Sequence, residues 1–294
     1  MKVLITGSST GFGKLIAETL VQKGHDVAAS MRNVGTKNKE NAAALEKAGA
    51  KVVEIDVLDE ASVNAGVAEA VKVLGGLDVV VNNAGAAMLG LTEAFSIEDW
   101  KKVFDLNVFG VQRVNRAALP HLREQGSGLL VHVSSIIGRV MLPFFGPYGP
   151  SKWALEGLAE ITRVENASLG IDSVLVEPGG FATEIFNKLA TPSDKEREAS
   201  LGEYAKVPMQ FAEGFGEQLA ANKDQKPQDV ADAIVSLIEM PAGTRPFRTV
   251  VDKMGMATLI NPVNEDQEIL TKNTYSAFDM SDMLKLNVKE KTAA

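Results

Sequence analysis

The chain has 294 residues, of which 45% are hydrophobic and 23% are charged, a composition typical of a globular protein with one substantial core. Its formal charge of -8 argues against a protein that binds nucleic acid or an anionic membrane through bulk charge. The lack of cysteine excludes disulfides and thiol chemistry, and the three histidines lack metal-ligand spacing, so we predict no metal site.

Targeting signals are not expected from the sequence. The apolar run after Lys2 ends at Thr6, which is too short for the core of a signal peptide. No stretch approaches the ~18 uninterrupted apolar residues of a membrane span. These features predict a cytoplasmic protein without a membrane partner.

Short apolar runs alternate with helical patterns along the chain. The apolar runs predict strands at residues 3–6, 26–30, 51–56, 77–82, 128–135, 171–177 and 248–252. The helical patterns predict helices at residues 11–23, 38–48, 60–74, 98–124, 148–169 and 228–239. This alternation predicts an α/β fold with a Rossmann-type, doubly wound parallel sheet of about seven strands and helices on both faces. Ligands then bind at the carboxyl ends of the strands.

A glycine-rich loop lies between the first predicted strand and helix. It contains Gly7, Gly11 and Gly13 in the spacing G-x-x-x-G-x-G. Glycines allow a sharp turn and close approach of a ligand, and the helix N-terminus offers free N–H groups to a pyrophosphate. The loop therefore predicts dinucleotide binding, although the same residues are also compatible with a plain tight turn between strand and helix.

A second interpretation of this loop belongs to another enzyme class. Residues 7–11 also match G-x-S-x-G, with Ser9 as the nucleophile of an α/β-hydrolase. Such hydrolases place their acid and then their histidine after the serine, whereas no histidine follows His132 here. The order of residues along the chain therefore disfavours a serine hydrolase.

A tyrosine and a lysine start the predicted helix 148–169. Tyr148 and Lys152 are four residues apart and share one helix face. A nearby ammonium lowers the pKa of a phenol, so we expect Lys152 to make Tyr148 a better proton donor and acceptor. Ser135, at the end of a predicted strand, is placed to hydrogen-bond the same substrate oxygen.

These motifs together resemble the short-chain dehydrogenase/reductase family over residues 1–252. The matching residues, in family order, are Thr6-Gly7-x-x-x-Gly11-x-Gly13, Asn82-Asn83-Ala84-Gly85, Asn107, Ser135, Tyr148-x-x-x-Lys152 and Pro178-Gly179-x-x-x-Thr183. The resemblance implies that Tyr148 is the acid/base, Lys152 lowers its pKa and holds the nicotinamide ribose, and Ser135 orients the substrate. Asn107 would hold a water in the proton relay.

The resemblance also implies which residues contact the cofactor. The glycine loop, with Ser9 and Phe12, would hold the pyrophosphate side. The adenine and its ribose would meet Asp56, Val57, Asn83, Ala84 and Gly85, and the nicotinamide would meet Pro178, Gly179 and Thr183, beside Tyr148 and Lys152.

The end of the second predicted strand bears on the choice between NAD and NADP. An NAD site usually carries an acidic residue there for the ribose 2′-hydroxyl, and none occurs between Asp26 and Glu40. Arg32 is placed instead to bind a 2′-phosphate, helped by Ser9. We therefore predict NADP(H), with a solvated arginine as the alternative.

The expected substrate is a carbonyl or secondary alcohol with an apolar body, by similarity to hydroxysteroid and retinol-type reductases. The apolar residues that flank the predicted site are Met88, Met141, Phe144, Phe145 and Phe181, although core packing would explain them equally well. A dinucleotide-sensing regulator without catalysis remains a less favoured alternative.

The organisation predicted from the sequence is a catalytic domain at residues 1–252, with a substrate-covering insertion at 181–228. Residues 253–294 would form a C-terminal extension without clear periodicity, packed on the domain or on a partner subunit. The family resemblance implies a homodimer or homotetramer that pairs through the helices at residues 98–124 and 148–169.

Overall fold

The computed structural model describes residues 1–183 and 189–288 of the chain. Residues 184–188 of the predicted insertion and 289–294 of the predicted extension lie outside this part. Seven parallel strands form one sheet in the order β3-β2-β1-β4-β5-β6-β7. The strands are β1 (Lys2–Ile5), β2 (Asp26–Met31), β3 (Lys51–Glu54), β4 (Val79–Asn82), β5 (Gly128–Val133), β6 (Ile171–Pro178) and β7 (Arg248–Val251). The predicted doubly wound parallel sheet is confirmed.

Helices cover both faces of the sheet. They are α1 (Gly11–Gln22), α2 (Lys39–Ala48), α3 (Glu60–Leu74), α4 (Ile97–Phe104), α5 (Gly110–Gln125), α6 (Tyr148–Asn166), α7 (Lys195–Ser200), α8 (Val207–Ala221), α9 (Pro227–Glu239) and α10 (Ala257–Ala277). Among these helices, none in the described part of the chain is both long and apolar enough to cross a bilayer.

Alternation along the strands divides the core into two layers. In β1, Val3 and Ile5 pack under α1, α2 and α9, whereas Leu4 packs under α3 and α5 on the other face. All three β1 side chains are fully buried. Burial on both faces explains why the strands are nearly continuous apolar runs. The strand order reverses between β2 and β4, the neighbours of β1, and the glycine loop leaves β1 at this point.

The structure corrects one predicted helix, which is not continuous. The stretch 98–124 is two α-helices, α4 and α5, joined by a five-residue π-helix at Asp105–Phe109. The wider turn carries Asn107, whose side-chain amide bonds both backbone groups of Ala86 and the hydroxyl of Ser151. Apolar periodicity does not report such a local insertion, which commonly marks a functional site.

The sequence did not predict the secondary structure of the C-terminal tail. The segment after β7 forms the 21-residue helix α10, although its sequence shows no clear periodicity. Most of its side chains are exposed, and Ile260 is the one buried residue of this helix. A single buried contact produces too weak a pattern for sequence analysis to detect.

Candidate active site

Glycines in the loop after β1 let the backbone pack tightly. A Cβ at Gly13 would lie 2.5 Å from the Asn83 Nδ2 atom and would also collide with the Gly7 carbonyl oxygen. Gly7 has a φ of +70°, and a Cβ there would lie 2.8 Å from Ala84 Cα. The loop after β4 is therefore in direct contact with the glycine loop, and both positions need glycine.

The N-terminus of α1 is open to a ligand. Thr10 is the N-cap residue but makes no side-chain capping bond, and no acidic side chain lies in the first turn. Gly11, with a φ of +58°, has open space around its missing Cβ, and Ser9 is partly exposed beside it. Uncapped N–H groups carrying a partial positive charge next to a side-chain-free cradle fit a dinucleotide pyrophosphate.

Asn83 and Ala84 brace the glycine loop. The Asn83 amide donates to the carbonyl oxygens of Thr6 and Gly7 at 2.9 and 3.1 Å. The Asn83 and Ala84 backbone N–H groups both donate to the Thr6 hydroxyl at 3.1 Å. The side chain of Asn83 thus supports the loop, and Gly85 leaves the room that the buried Asn107 amide occupies.

Arg32 and Asp56 meet at the carboxyl edge of β2 and β3. Arg32 Nη1 lies 4.0 Å from Asp56 Oδ2, and the Arg32 side chain remains 59% exposed. The side chain of Asp59 caps α3, whereas Asp56 Oδ1 accepts a hydrogen bond from the Leu58 N–H. Val57 is buried, and its carbonyl oxygen accepts a hydrogen bond from Arg113.

The exit of β6 forms the other side of the site. Gly179 packs directly against the Asp252 carboxylate, which leaves no room for a side chain. The Thr183 N–H donates to the Phe181 carbonyl oxygen, and the Phe181 ring packs edge-on against Phe12 with centroids 5.6 Å apart. Phe12 and Phe181 therefore belong to the packed core below the loops.

Ser135, Tyr148 and Lys152 come together at the ends of β5 and β6. Ser135 lies two residues after the end of β5. Its hydroxyl donates to the Pro178 carbonyl oxygen at 3.4 Å and hydrogen-bonds the Tyr148 side chain. Lys152 is buried, and its Nζ donates to the Val133 carbonyl oxygen at 2.8 Å. The same Nζ lies 5.8 Å from the centre of the Tyr148 ring.

Burial is the main cause of the pKa shifts of Tyr148 and Lys152. Burial raises the pKa of Tyr148 to about 12, and the hydrogen bond with Ser135 only partly opposes the rise. Burial lowers the pKa of Lys152 to about 8, against the attraction of Glu156. The expected net lowering of the Tyr148 pKa is therefore not found in the protein alone, because the loss of hydration outweighs the Ser135 hydrogen bond.

Two aromatic side chains that sequence analysis missed, Phe211 and Phe215, join Phe144 and Phe145 near Tyr148. Phe145 lies 6.1 Å from the Tyr148 ring, and Phe211 of α8 lies 5.5 Å from Phe144 and 6.2 Å from Phe145. Phe215 stacks on Phe211. The i, i+4 spacing of Phe211 and Phe215 could have indicated a helix, but not its position beside Tyr148.

The other apolar residues flagged in the sequence have different surroundings. Met88 packs with Phe95 and Val103 away from Tyr148, and Met141 is 46% exposed with its sulfur against Gly149. Phe144 adopts a φ of +73°, an unusual conformation for a bulky residue, beside the site. Only Phe144 and Phe145 of the five belong to the Tyr148 cluster.

No metal centre accompanies this arrangement within residues 1–183 and 189–288, where no three acidic or histidine side chains converge in a way that could hold an ion. His132, the last histidine, is buried in β5 between Asn82 and Ser173.

Comparison with known proteins gives the class of the chain. The family model for short chain dehydrogenases matches residues 1–194. The uncharacterized oxidoreductase YusZ of Bacillus subtilis is 33% identical over 241 residues, covering 80% of this chain and 83% of the relative. Retinol dehydrogenase 8 of Homo sapiens is 34% identical over 257 residues, covering 83% of this chain and 78% of the relative.

Solved structures agree with this class. A short-chain dehydrogenase from Streptomyces avermitilis superposes with a TM-score of 0.73 at 29% identity, covering 95% and 97% of the two chains. A short chain dehydrogenase/reductase from Burkholderia phymatum, solved with NAD, gives 0.73 at 26% identity, covering 92% and 95%. An alcohol dehydrogenase from Thermococcus sibiricus, solved with 5-hydroxy-NADP, gives 0.67 at 25% identity, covering 85% and 95%.

The fold, the glycine loop and these matches define an oxidoreductase. The chain belongs to the short-chain dehydrogenase/reductase family. Its solved relatives include complexes with either dinucleotide, so membership alone leaves the choice between NAD and NADP open.

Proposed function

We propose that this chain is an NADP(H)-dependent reductase of apolar aldehydes and ketones, with Tyr148 as the acid/base. The observation that carries the proposal is the meeting of the Tyr148 and Ser135 side chains beside Lys152 at the carboxyl edge of the sheet. Two hydroxyl groups there can hydrogen-bond one carbonyl oxygen, which is the arrangement that reduction to an alcohol needs.

The dinucleotide supplies the hydride when it is bound. The residues that would hold it are those around the open α1 N-terminus, with Asp56 and Val57 on the adenine side, and Pro178, Gly179 and Thr183 on the nicotinamide side. Lys152 would contact the nicotinamide ribose and would remain beside the Tyr148 ring. These contacts remain a proposal, supported by the open space beside Gly11 and by the uncapped N-terminus of α1.

The protonation of Tyr148 favours the reductive direction. With a pKa raised to about 12, the phenol carries its proton at neutral pH and can donate it to the alkoxide that hydride addition creates. The O–H bond of Tyr148 breaks as the new alcohol O–H bond forms. The charge left on the phenolate is stabilised by the Ser135 hydroxyl and by the Lys152 ammonium.

Arg32 supports the choice of NADP. Its guanidinium is exposed and makes only a 4.0 Å ion pair with Asp56, so it has capacity for a further anionic partner. A 2′-phosphate offers a bidentate partner of the kind that arginine binds best.

We propose that Asn107 contributes to the proton relay from the π-helix, next to the residues that it braces.

The apolar cluster around Tyr148 supports a hydrophobic substrate. Its buried members come from four separate segments and include Leu89, Ile136, Ile137, Phe145 and Ile260. A wall of this composition favours a carbonyl compound with an apolar body.

A carbonyl panel followed by NADPH absorbance tests this function. We expect apolar ketones or aldehydes to turn over faster than small polar ones, and we expect Tyr148→Phe to lower turnover by about a hundredfold or more. Undiminished turnover in Tyr148→Phe would refute the assigned proton donor. NADPH binding without turnover on any carbonyl would favour the dinucleotide-sensing alternative.

Self-association remains a proposal. Apolar side chains are exposed on and beside α5 and α6, among them Phe109, Trp153 and Ile161. Such a surface supports pairing of these helices in a homodimer or homotetramer.

A further inference from the structure

A buried charged cluster lies behind Lys152. Arg248 of β7 is its centre, with Nε 3.0 Å from Glu156 Oε2 and 3.5 Å from Glu177 Oε1. Its Nη2 lies 3.2 Å from Glu160 Oε2. Glu156 and Glu177 are almost completely buried, as is the side chain of Arg248. Such groups are costly to bury unless they are paired, which makes this cluster unusual for a protein interior.

Helix α10 closes the cluster on its outer side. The Asn264 Nδ2 atom donates to Glu177 Oε2 at 2.6 Å, and the Thr271 hydroxyl donates to Glu160 Oε1 at 2.8 Å. Arg139, in the loop after β5, also acts on Glu177 through its charge. The C-terminal helix is thereby joined to α6, the helix that carries Tyr148 and Lys152.

The cluster has more carboxyl groups than basic side chains to pair with them. Among the described residues, none donates a hydrogen bond to Glu156 Oε1, and Glu177 Oε1 has only its 3.5 Å ion pair with Arg248 Nε, although both oxygens are buried. Burial and the neighbouring Glu156 raise the pKa of Glu177 to about 8. Glu177 therefore holds a proton at neutral pH, and Glu156 is the deeply buried carboxyl group that lies nearest to the Arg248 guanidinium, at 3.0 Å.

Glu156 is placed to act on Lys152. The two residues are four apart on α6 and share one buried face of the helix. The Lys152 Nζ donates to a neutral acceptor, the Val133 carbonyl oxygen, and Tyr148 is the other titratable side chain next to it. The carboxylate of Glu156 is the charge that opposes the desolvation of Lys152.

We propose that Glu156 is a positioning residue that keeps the Lys152 ammonium charged at the pH of turnover, with Arg248 holding its carboxylate in place. The part of this inference that concerns turnover rests on the function proposed above. The charge of Lys152 itself is a property of the protein alone. Removing the Glu156 charge should leave Lys152 a weaker base, because only desolvation then acts on it.

The first test measures Lys152 directly, without substrate. Lysine labelled with ¹³C at Cε is titrated by NMR in the full-length protein, and Lys152→Arg identifies the resonance. We expect Glu156→Gln to lower the titration midpoint by about one pH unit or more. Glu160→Gln, the same change one helical turn further along α6, should leave the midpoint unchanged. Arg248 keeps two acidic neighbours in Glu156→Gln, so we expect this variant to fold.

A charge-conserving variant separates electrostatics from packing. Glu156→Asp should keep the Lys152 midpoint close to that of the parent protein, even if its melting temperature falls. An unchanged midpoint in Glu156→Gln, or a midpoint in Glu156→Asp as low as in Glu156→Gln, would overturn the inference and leave Glu156 a purely structural residue.

The second test connects the charge to turnover. In a pH profile of kcat/KM, we expect the alkaline limb of Glu156→Gln to move to lower pH by the same amount as the NMR midpoint. If the midpoint moves and the limb does not, Glu156 still sets the Lys152 charge but the proposed role of Lys152 in turnover fails. If neither moves, the inference itself fails.

Discussion

Arg32 illustrates how much one exposed side chain is expected to decide. It stands at the end of β2 where an acidic residue would bind a ribose hydroxyl, and its guanidinium is 59% exposed beside Asp56. Asp56, which follows the next strand, already pairs with Arg32. We propose that the Arg32 guanidinium binds a 2′-phosphate in addition to this carboxylate. Reversal of the charge at position 32 should therefore reverse the preference for the dinucleotide.

We predict that Arg32→Asp lowers kcat/KM for NADPH by about tenfold to a hundredfold, because one charge-assisted contact contributes about 1.5–3 kcal/mol. The constants for NADPH and NADH are measured side by side. Arg123→Asp makes the same charge change at the far end of α5 and serves as the control. Equal constants for the two dinucleotides in the parent protein would remove the proposal.

Residue roles were only partly readable from the sequence. Spacing predicted that Tyr148 and Lys152 share a helix face, and the structure brings Ser135 to them as expected. The sequence did not predict that burial would raise the pKa of Tyr148, because desolvation depends on how many neighbours pack around the ring. No pattern of residues four apart contains that information.

Helix α10 shows the importance of a single contact at the scale of an element. Ile260 packs into the apolar cluster that contains Phe145 and Tyr148, whereas the adjacent Leu259 is 64% exposed. The C-terminal tail thus contributes to the wall of the site and holds the buried cluster through Asn264.

Ile260→Ala should lower the free energy of unfolding by about 2–4 kcal/mol, since it removes buried methylene groups and leaves a cavity. Leu259→Ala, one position away on the same helix, should change it by less than about 0.5 kcal/mol. Denaturant unfolding of both variants measures the difference. Equal effects would mean that α10 does not pack on the domain as described.

Elements buried on both faces were predicted well, since β4 and β6 each contain an uninterrupted apolar run, at residues 79–81 and 174–176. The π-helix at Asp105–Phe109 and helix α10 were not. The π-helix is one widened turn that carries Asn107, and α10 packs on the domain through few buried side chains. Both depend on contacts distant in sequence, which local periodicity does not contain.

Two buried titratable groups shape the stability of the whole molecule. Glu177 holds its proton up to a pKa of about 8 when folded, against 4.5 when unfolded. Between these values the unfolded chain binds fewer protons, so stability falls as the pH rises through this window. Burial lowers the pKa of His132 from 6.5 to about 3, so His132 costs stability only as the pH falls below 6.5.

Glu177→Gln should stabilise the protein at pH values above 8 by about 1 kcal/mol or more, because glutamine imitates the neutral acid without ionising. Near pH 5 the same substitution should have little effect. Urea unfolding of variant and parent across this range gives the difference, and Glu165→Gln on the exposed face of α6 is the control. A difference that does not grow with pH would contradict the proton-holding role of Glu177.

The proposed proton donation by Tyr148 is tested most directly by a single-turnover measurement. Enzyme saturated with NADPH is mixed with the best carbonyl from the panel, and hydride transfer is followed in the parent protein and in Tyr148→Phe. Our account predicts unchanged NADPH affinity and a rate about 10²–10⁴-fold lower in the variant. A Tyr148→Phe rate equal to that of the parent protein, with NADPH bound equally well, would contradict it.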